Sequence, residues 1–212
     1  MKITKPSLSP IKKPVQARSI HTLEAIFEAT IQVLLSIGLG SLTTTKVAER
    51  AGVSVGTLYQ YFPNKQALLT EVLQRHLQYV VSEVELACLG AKGQTLDVMA
   101  EDVVTAYLDA KFKNPELSRA LYGVANDLGS HATVLAMTQR SQITLCDMLA
   151  SNTERQFDDL KTVSFILSTA LVGPVQALLA SEAPAALQAS VCVQLKDLIR
   201  MYLIKAGKSR LL

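Results

Sequence analysis

The chain of 212 residues has no tryptophan, only 5% aromatic residues and three cysteines. Cys88, Cys146 and Cys192 lie far apart in apolar surroundings without a C-x-x-C pair, which excludes a disulfide framework and a cysteine zinc site and points to reduced thiols in a cytoplasmic protein. His21, His76 and His131 have no neighbouring ligands at metal spacing. No Ser, Cys or His stands in a nucleophile motif and no glycine-rich phosphate loop occurs, so no enzyme activity, metal or cofactor is expected. Residues 1–17 hold Pro6, Pro10 and Pro14 with four lysines and no acid, and lack the long apolar core of a signal peptide. They are expected to be a flexible basic arm.

Strand-like alternation is also missing. Hydrophobic residues make up 49% of the chain, enough for a substantial core, and apolar residues recur at spacings of three and four from Ile20 almost to Leu203. The fold class is therefore all-α, with about nine helices. The first runs from Arg18 to Ile37, with Leu23, Ile26, Phe27, Ile31 and Leu34 inward, and Gly38 and Gly40 end it. A long helix from Lys65 to about Leu89 can act as a lever. Others are expected near 95–112, 115–127, 131–151, 158–181 and 185–205, with Asn114-Pro115 and Pro184 marking two starts. The uncharged run Thr162–Ser181 has the length of a membrane span, but Gln176, its hydroxyls and Gly173-Pro174 weaken it and no basic flank follows. It reads as a helix buried against its own core and a second subunit, and no membrane is expected.

Residues Leu42–Leu69, LTTTKVAERAGVSVGTLYQYFPNKQALL, have the most specific pattern. Thr43 caps a short helix and Leu42 can staple onto Val47, while Gly52 suits a left-handed stop. Ser54 then caps a second helix from Val55 to Tyr61. At about 100° per residue Leu58 and Phe62 face inward, and Gly56 and Gln60 point away. An outer face of Gly, Thr, Gln and Tyr, without Lys or Glu, suits the major groove of DNA. Gln60 can pair with a base edge, Thr57 can reach base or phosphate, and Val55 can meet a thymine methyl. Gly56 allows close approach, and the hydroxyls of Thr44, Thr45, Tyr59 and Tyr61 can bond phosphates. Lys65 opens the next helix, where a cation opposes the dipole and is better explained by a nearby anion.

The run VAERAGVSVGTLYQYFPNKQALL resembles the DNA-binding signature of TetR-family transcriptional regulators. The resemblance implies DNA-facing roles for Thr44, Thr45, Val55, Gly56, Thr57, Tyr59, Gln60, Tyr61 and Lys65, with Ser54 as the accompanying cap. Thr45 departs from those members that carry a long side chain there. Charge agrees modestly: residues 1–65 hold eight Lys and Arg against three Glu, in a chain of net charge +3.

Four parts are expected: the arm (1–17), a helix-turn-helix domain (18–64), a larger effector-binding and dimerisation domain (65–206), and a frayed tail (207–212). The resemblance implies an effector pocket, for which Tyr107, Phe112, Tyr122, Asn126, Met137, Arg140, Phe165 and Thr169 are candidates; sparse charge there favours a small, largely apolar effector. It also implies a homodimer through the last two helices, with Phe165, Leu171, Val175, Leu178, Val191, Leu195, Leu198 and Tyr202 at the interface. The expected function is that of a cytoplasmic repressor released from a palindromic double-stranded operator by a small molecule. The alternatives are a DNA-binding regulator or nucleoid factor controlled by a protein partner, and a helical interaction or membrane-anchored module.

Overall fold

The computed structural model describes residues 17–209. Within them lie nine α-helices: α1 (Ala17–Ser41), α2 (Thr44–Arg50), α3 (Val55–Tyr61), α4 (Lys65–Gly90), α5 (Leu96–Phe112), α6 (Pro115–Asp127), α7 (His131–Ala150), α8 (Leu160–Ala180) and α9 (Ala185–Ala206). Two two-residue strands, β1 (Arg155–Gln156) and β2 (Lys208–Ser209), pair antiparallel. The expected arm falls outside the described residues except for Ala17, the first residue of α1.

Most helix ends follow from capping chemistry. Thr43 Oγ1 accepts from Lys46 N, Ser54 Oγ from Thr57 N and Asn64 Oδ1 from Ala67 N. Asn114 Oδ1 likewise accepts from Leu117 N just after Pro115. Gly38, at φ 73°, breaks helical geometry inside α1, so the regular helix stops where the glycines predicted and a short turn carries on to Ser41.

The described residues form two compact units, one within 1–76 together with 120–131 and the other within 77–119 together with 132–212. This corrects the expected division at residue 64: the boundary falls inside α4, and most of α6 joins the first unit. An uninterrupted helix gives no local signal of where its contacts change. In the first unit Ile26, Leu42, Val47, Leu58, Phe62, Leu68 and Leu69 are fully buried, each such side chain contributing about 1.5–3 kcal/mol. Phe27 meets Phe62 edge to face at 5.6 Å, and Arg75 covers Phe27 at 3.6 Å while bonding Glu24.

In the second unit α5 packs on α8 and α9 around Met99, Val103, Val104, Leu167, Val175, Ile199 and Leu203. Buried Asn152 donates to Gln94 O and accepts from the amides of Glu154 and Arg155. Arg155 in turn donates to Ile204 O and Gly207 O at the end of α9. Residues 207–209 are therefore held by Arg155 and by strand pairing, a correction to the frayed tail; the pairing joins segments some fifty residues apart and leaves no local pattern. The segments Ser19–Ser41 and Leu160–Ala180 are both long and apolar enough to cross a membrane by length and composition, the first of which the hydropathy reading overlooked. Each also packs one face into its own unit, through Ile26, Phe27 and Leu34 in the first and Leu167, Leu171 and Val175 in the second.

Candidate nucleic-acid interface

The geometry of residues 43–65 starts from two hydroxyl caps. Thr43 fixes the start of α2, and Gly52, at φ 67°, reverses the chain after it. Ser54 then starts α3, its hydroxyl bonding both Thr57 N and, at 2.8 Å, Thr57 Oγ1. Leu58 and Phe62 are fully buried and anchor α3 to the first unit. The other side of α3 is open: Ser54, Gly56, Tyr59 and Gln60 are exposed, with Val55 and Thr57 half-buried beside them.

Gly56 is informative because the fold does not require it. A Cβ there would meet only Ser54 Oγ at 3.7 Å, an ordinary contact, so the missing side chain leaves bare backbone facing outward. Gln60, one turn on, presents a carboxamide able to donate and accept along a base edge. Tyr59 is 44% exposed and its hydroxyl lies 3.1 Å from Thr44 Oγ1, tying the start of α2 to the outer side of α3. Thr45 and Lys46 are exposed in the first turn of α2.

Two expectations change. Tyr61 is only 7% exposed, so its ring belongs to the core and not to the outer face. At 100° per residue it falls beside Leu58, three positions away, and the apolar arc of so short a helix is wide enough to take it in. Lys65, read as answering an external anion, donates its Nζ to Leu39 O at 2.9 Å, and Lys46 Nζ reaches Ser41 O at 3.2 Å. Both ammonium groups thus meet backbone carbonyls just past the Gly38 break.

The residues proposed for an effector differ in exposure. Tyr107 is buried, Tyr122 and Met137 are half-buried, and Asn126, Arg140, Phe165 and Thr169 are exposed. Tyr122 and Asn126 lie in the first unit and the other six in the second. The Arg140 guanidinium grips the Glu85 carboxylate through two hydrogen bonds, which raises its already high pKa, and Thr169 donates to Phe165 O. Phe112 alone of the eight lines a groove of about 900 Å³ between α4 and α5. That groove carries Glu83, Glu101, Asp102 and Asp109, an acidic lining in place of the expected sparse charge. On α4 the lining residues Tyr79, Glu83, Ala87 and Gly90 follow one another at helical spacing.

The expected dimer residues divide as well. Leu171, Val175, Leu178 and Leu195 are buried in the protomer's own core, a correction, since their helical spacing marks a contact face without saying which contact. Val191 and Tyr202 are half-buried, while Phe165 and Leu198 are exposed. Ile166 and Val172 of α8 and Leu187 and Met201 of α9 are also exposed.

The thiols are quiet. Burial pushes Cys88 up to about 12 and raises Cys192, and Cys146 donates to Ser164 Oγ. No group of three or more His, Cys, Asp or Glu residues that could hold a metal ion occurs among the described residues.

Residues 26–72 match the family model for bacterial regulatory proteins of the tetR family, and residues 95–203 match that for the Tetracyclin repressor-like C-terminal domain. The chain belongs to the TetR family. It is 31% identical over 124 residues to the nucleoid occlusion factor SlmA of Haemophilus ducreyi, covering 58% of each chain. It is 35% identical over 98 residues to the HTH-type transcriptional repressor KstR of Mycolicibacterium smegmatis, covering 45% of this chain and 46% of KstR. The matched stretches thus span about half the length of these relatives. A structure from Mesorhizobium loti assigned to the TetR-family regulators superposes with a TM-score of 0.73 at 17% identity, covering 91% of this chain and all of that one, which establishes a shared fold.

Proposed function

We propose that the protein is a sequence-specific transcriptional regulator, a repressor that occupies a palindromic operator as a homodimer in the cytoplasm and leaves it when a small effector binds. The observation that carries this reading is the outer side of α3, where Gly56, Tyr59 and Gln60 stand exposed over a fully buried Leu58 and Phe62. In it Gln60 reads a base edge, Val55 and Thr57 make neighbouring contacts, and the backbone at Gly56 comes close to the DNA. Thr44, Thr45, Tyr59 and Lys65 position the protein on phosphates, with Ser54 holding the helix start. For Lys65 this requires its ammonium to keep Leu39 O while turning a second N–H outward, which its three donors permit.

Dimerisation follows from unsatisfied apolar surface: Phe165, Val172, Leu187 and Leu198 point away from the protomer core, and a second copy covers them. Two α3 helices must then enter major grooves about 34 Å apart or a multiple of it. An effector acts by preferring the arrangement that misses this spacing.

The test is a gel shift on operators selected from random DNA. Gln60→Ala is expected to lose about 1–3 kcal/mol at one base pair and to accept other bases there. An equal loss on every sequence would remove Gln60 from base reading. Leu198→Glu is expected to give monomers in sedimentation with weakened operator binding, and an unchanged dimer would move the interface elsewhere.

A second reading, a nucleoid-associated factor answering to a protein partner, is favoured by the 31% identity to a nucleoid occlusion factor. Retention of operator binding across a broad small-molecule screen supports it over the first.

A further inference from the structure

The α4–α5 groove departs from the largely apolar cavity that the sequence led one to expect. It stays open because the facing positions are small: Ala87 and Gly90 on α4, Ala106 and Ala110 on α5. Around it stand four carboxylates and the lysine Lys113. Glu101 is held by Lys196, and the Lys113 ammonium lies 5.1 Å from the ring centre of Tyr79 at one end of the groove. The side chains of Glu83, Asp102 and Asp109 have no ion pair or hydrogen bond among the described residues. The groove thus combines ligand-sized space with an excess of uncompensated negative charge, and an aromatic face at one end already receives a cation.

Spacing narrows the class further. Asp102 and Asp109 are seven residues apart, two helical turns, so they share one side of α5 with about 10 Å between them along the axis. Thr105 and Ala106 lie between, offering methyl groups and no charge. We infer that this groove binds an elongated organic dication, its two ammonium groups beside Asp102 and Asp109 and its hydrocarbon middle along Ala106 and Ala87. That this ligand is also the releasing effector rests on the regulator reading above; binding itself does not.

Calorimetry on the full chain tests it with the terminal diamine of octane, the shorter diamine of butane, and hexylamine. The octane diamine should bind at least about fivefold more tightly than either control, with affinity falling as salt rises. Asp102→Asn and Asp109→Asn, both at exposed positions, should each weaken it about fivefold towards hexylamine. Ala106→Leu, which fills the groove and keeps every carboxylate, should abolish binding. Equal affinity for all three amines, or unchanged binding in the asparagine variants and in Ala106→Leu, overturns the proposal. Operator binding of the ligand-free protein is scored separately: if it persists while the diamine fails to bind, only the groove assignment falls. If the diamine binds and operator binding is absent from the start, the groove assignment stands and the regulator reading falls.

Discussion

Residues 43–65 and the helices from α5 to α9 bury the same kinds of side chain, yet they differ in where the information for their arrangement lies. In the first region each turn is fixed by a neighbour in sequence: Thr43 by Lys46 N, Ser54 by Thr57 N, Gly52 by its own φ of 67°. In the second the decisive contacts join distant segments, as when Asn152 reaches Gln94 or Arg155 holds the end of α9. The first also has an uncharged core around Leu58 and Phe62, whereas the second encloses Lys111, 5% exposed, whose pKa burial lowers to about 8. A surface meant for a fixed duplex can be written locally. The larger unit depends on how its helices are spaced.

The contrast can be broken most severely at Leu58. Leu58→Ala removes the fully buried anchor of α3, and a loss of about 2–5 kcal/mol is expected, seen as a lowered melting temperature together with loss of operator binding. Unchanged operator affinity would mean that α3 is held by something other than its core face.

Lys111 sharpens the comparison through pH. Its folded pKa lies below the unfolded 10.5, so between pH 8 and 10.5 the unfolded chain binds more protons and stability rises with pH. Below pH 8 the buried ammonium costs the full amount, on the order of 3 kcal/mol at most. Lys111→Met should flatten this rise in thermal melts taken from pH 7 to about 10.5. Parallel curves for the two proteins would show that the ammonium is as well solvated folded as unfolded.

The smallest effect is expected at the hydrogen bond between Thr44 and Tyr59. Thr44→Val keeps the shape and removes the hydroxyl, and operator affinity should fall by about 0.5–1.5 kcal/mol on all sequences alike. A change confined to one base pair would instead give Tyr59 a role in reading sequence.

Much of the reading region was legible because its signals act over three or four residues. The bounds of α3 follow from Ser54 and the Pro63 break, and the inward Leu58 and Phe62 follow from helical spacing. Tyr61 was misplaced for the same reason: an amphipathic wheel ranks directions but does not tell how far the core reaches round a seven-residue helix. The effector candidates have no such local signal, since aromatic and polar residues in consecutive helices share a cavity only if the helices turn those faces together. Tyr122 and Phe165 belong to different compact units.

Composition, capping residues and the spacing of apolar side chains by themselves determined the all-helical class, nearly every helix boundary and the motif from Leu42 to Leu69, because those depend on interactions within a few turns of chain. Tertiary structure alone decided that Leu171 and Leu195 turn inward while Phe165 and Leu198 turn out, that residues 207–209 are held against β1, and that small residues of α4 and α5 leave an acid-lined groove. These outcomes arise where one helix meets another, and a single helix carries only half of the contact that makes them.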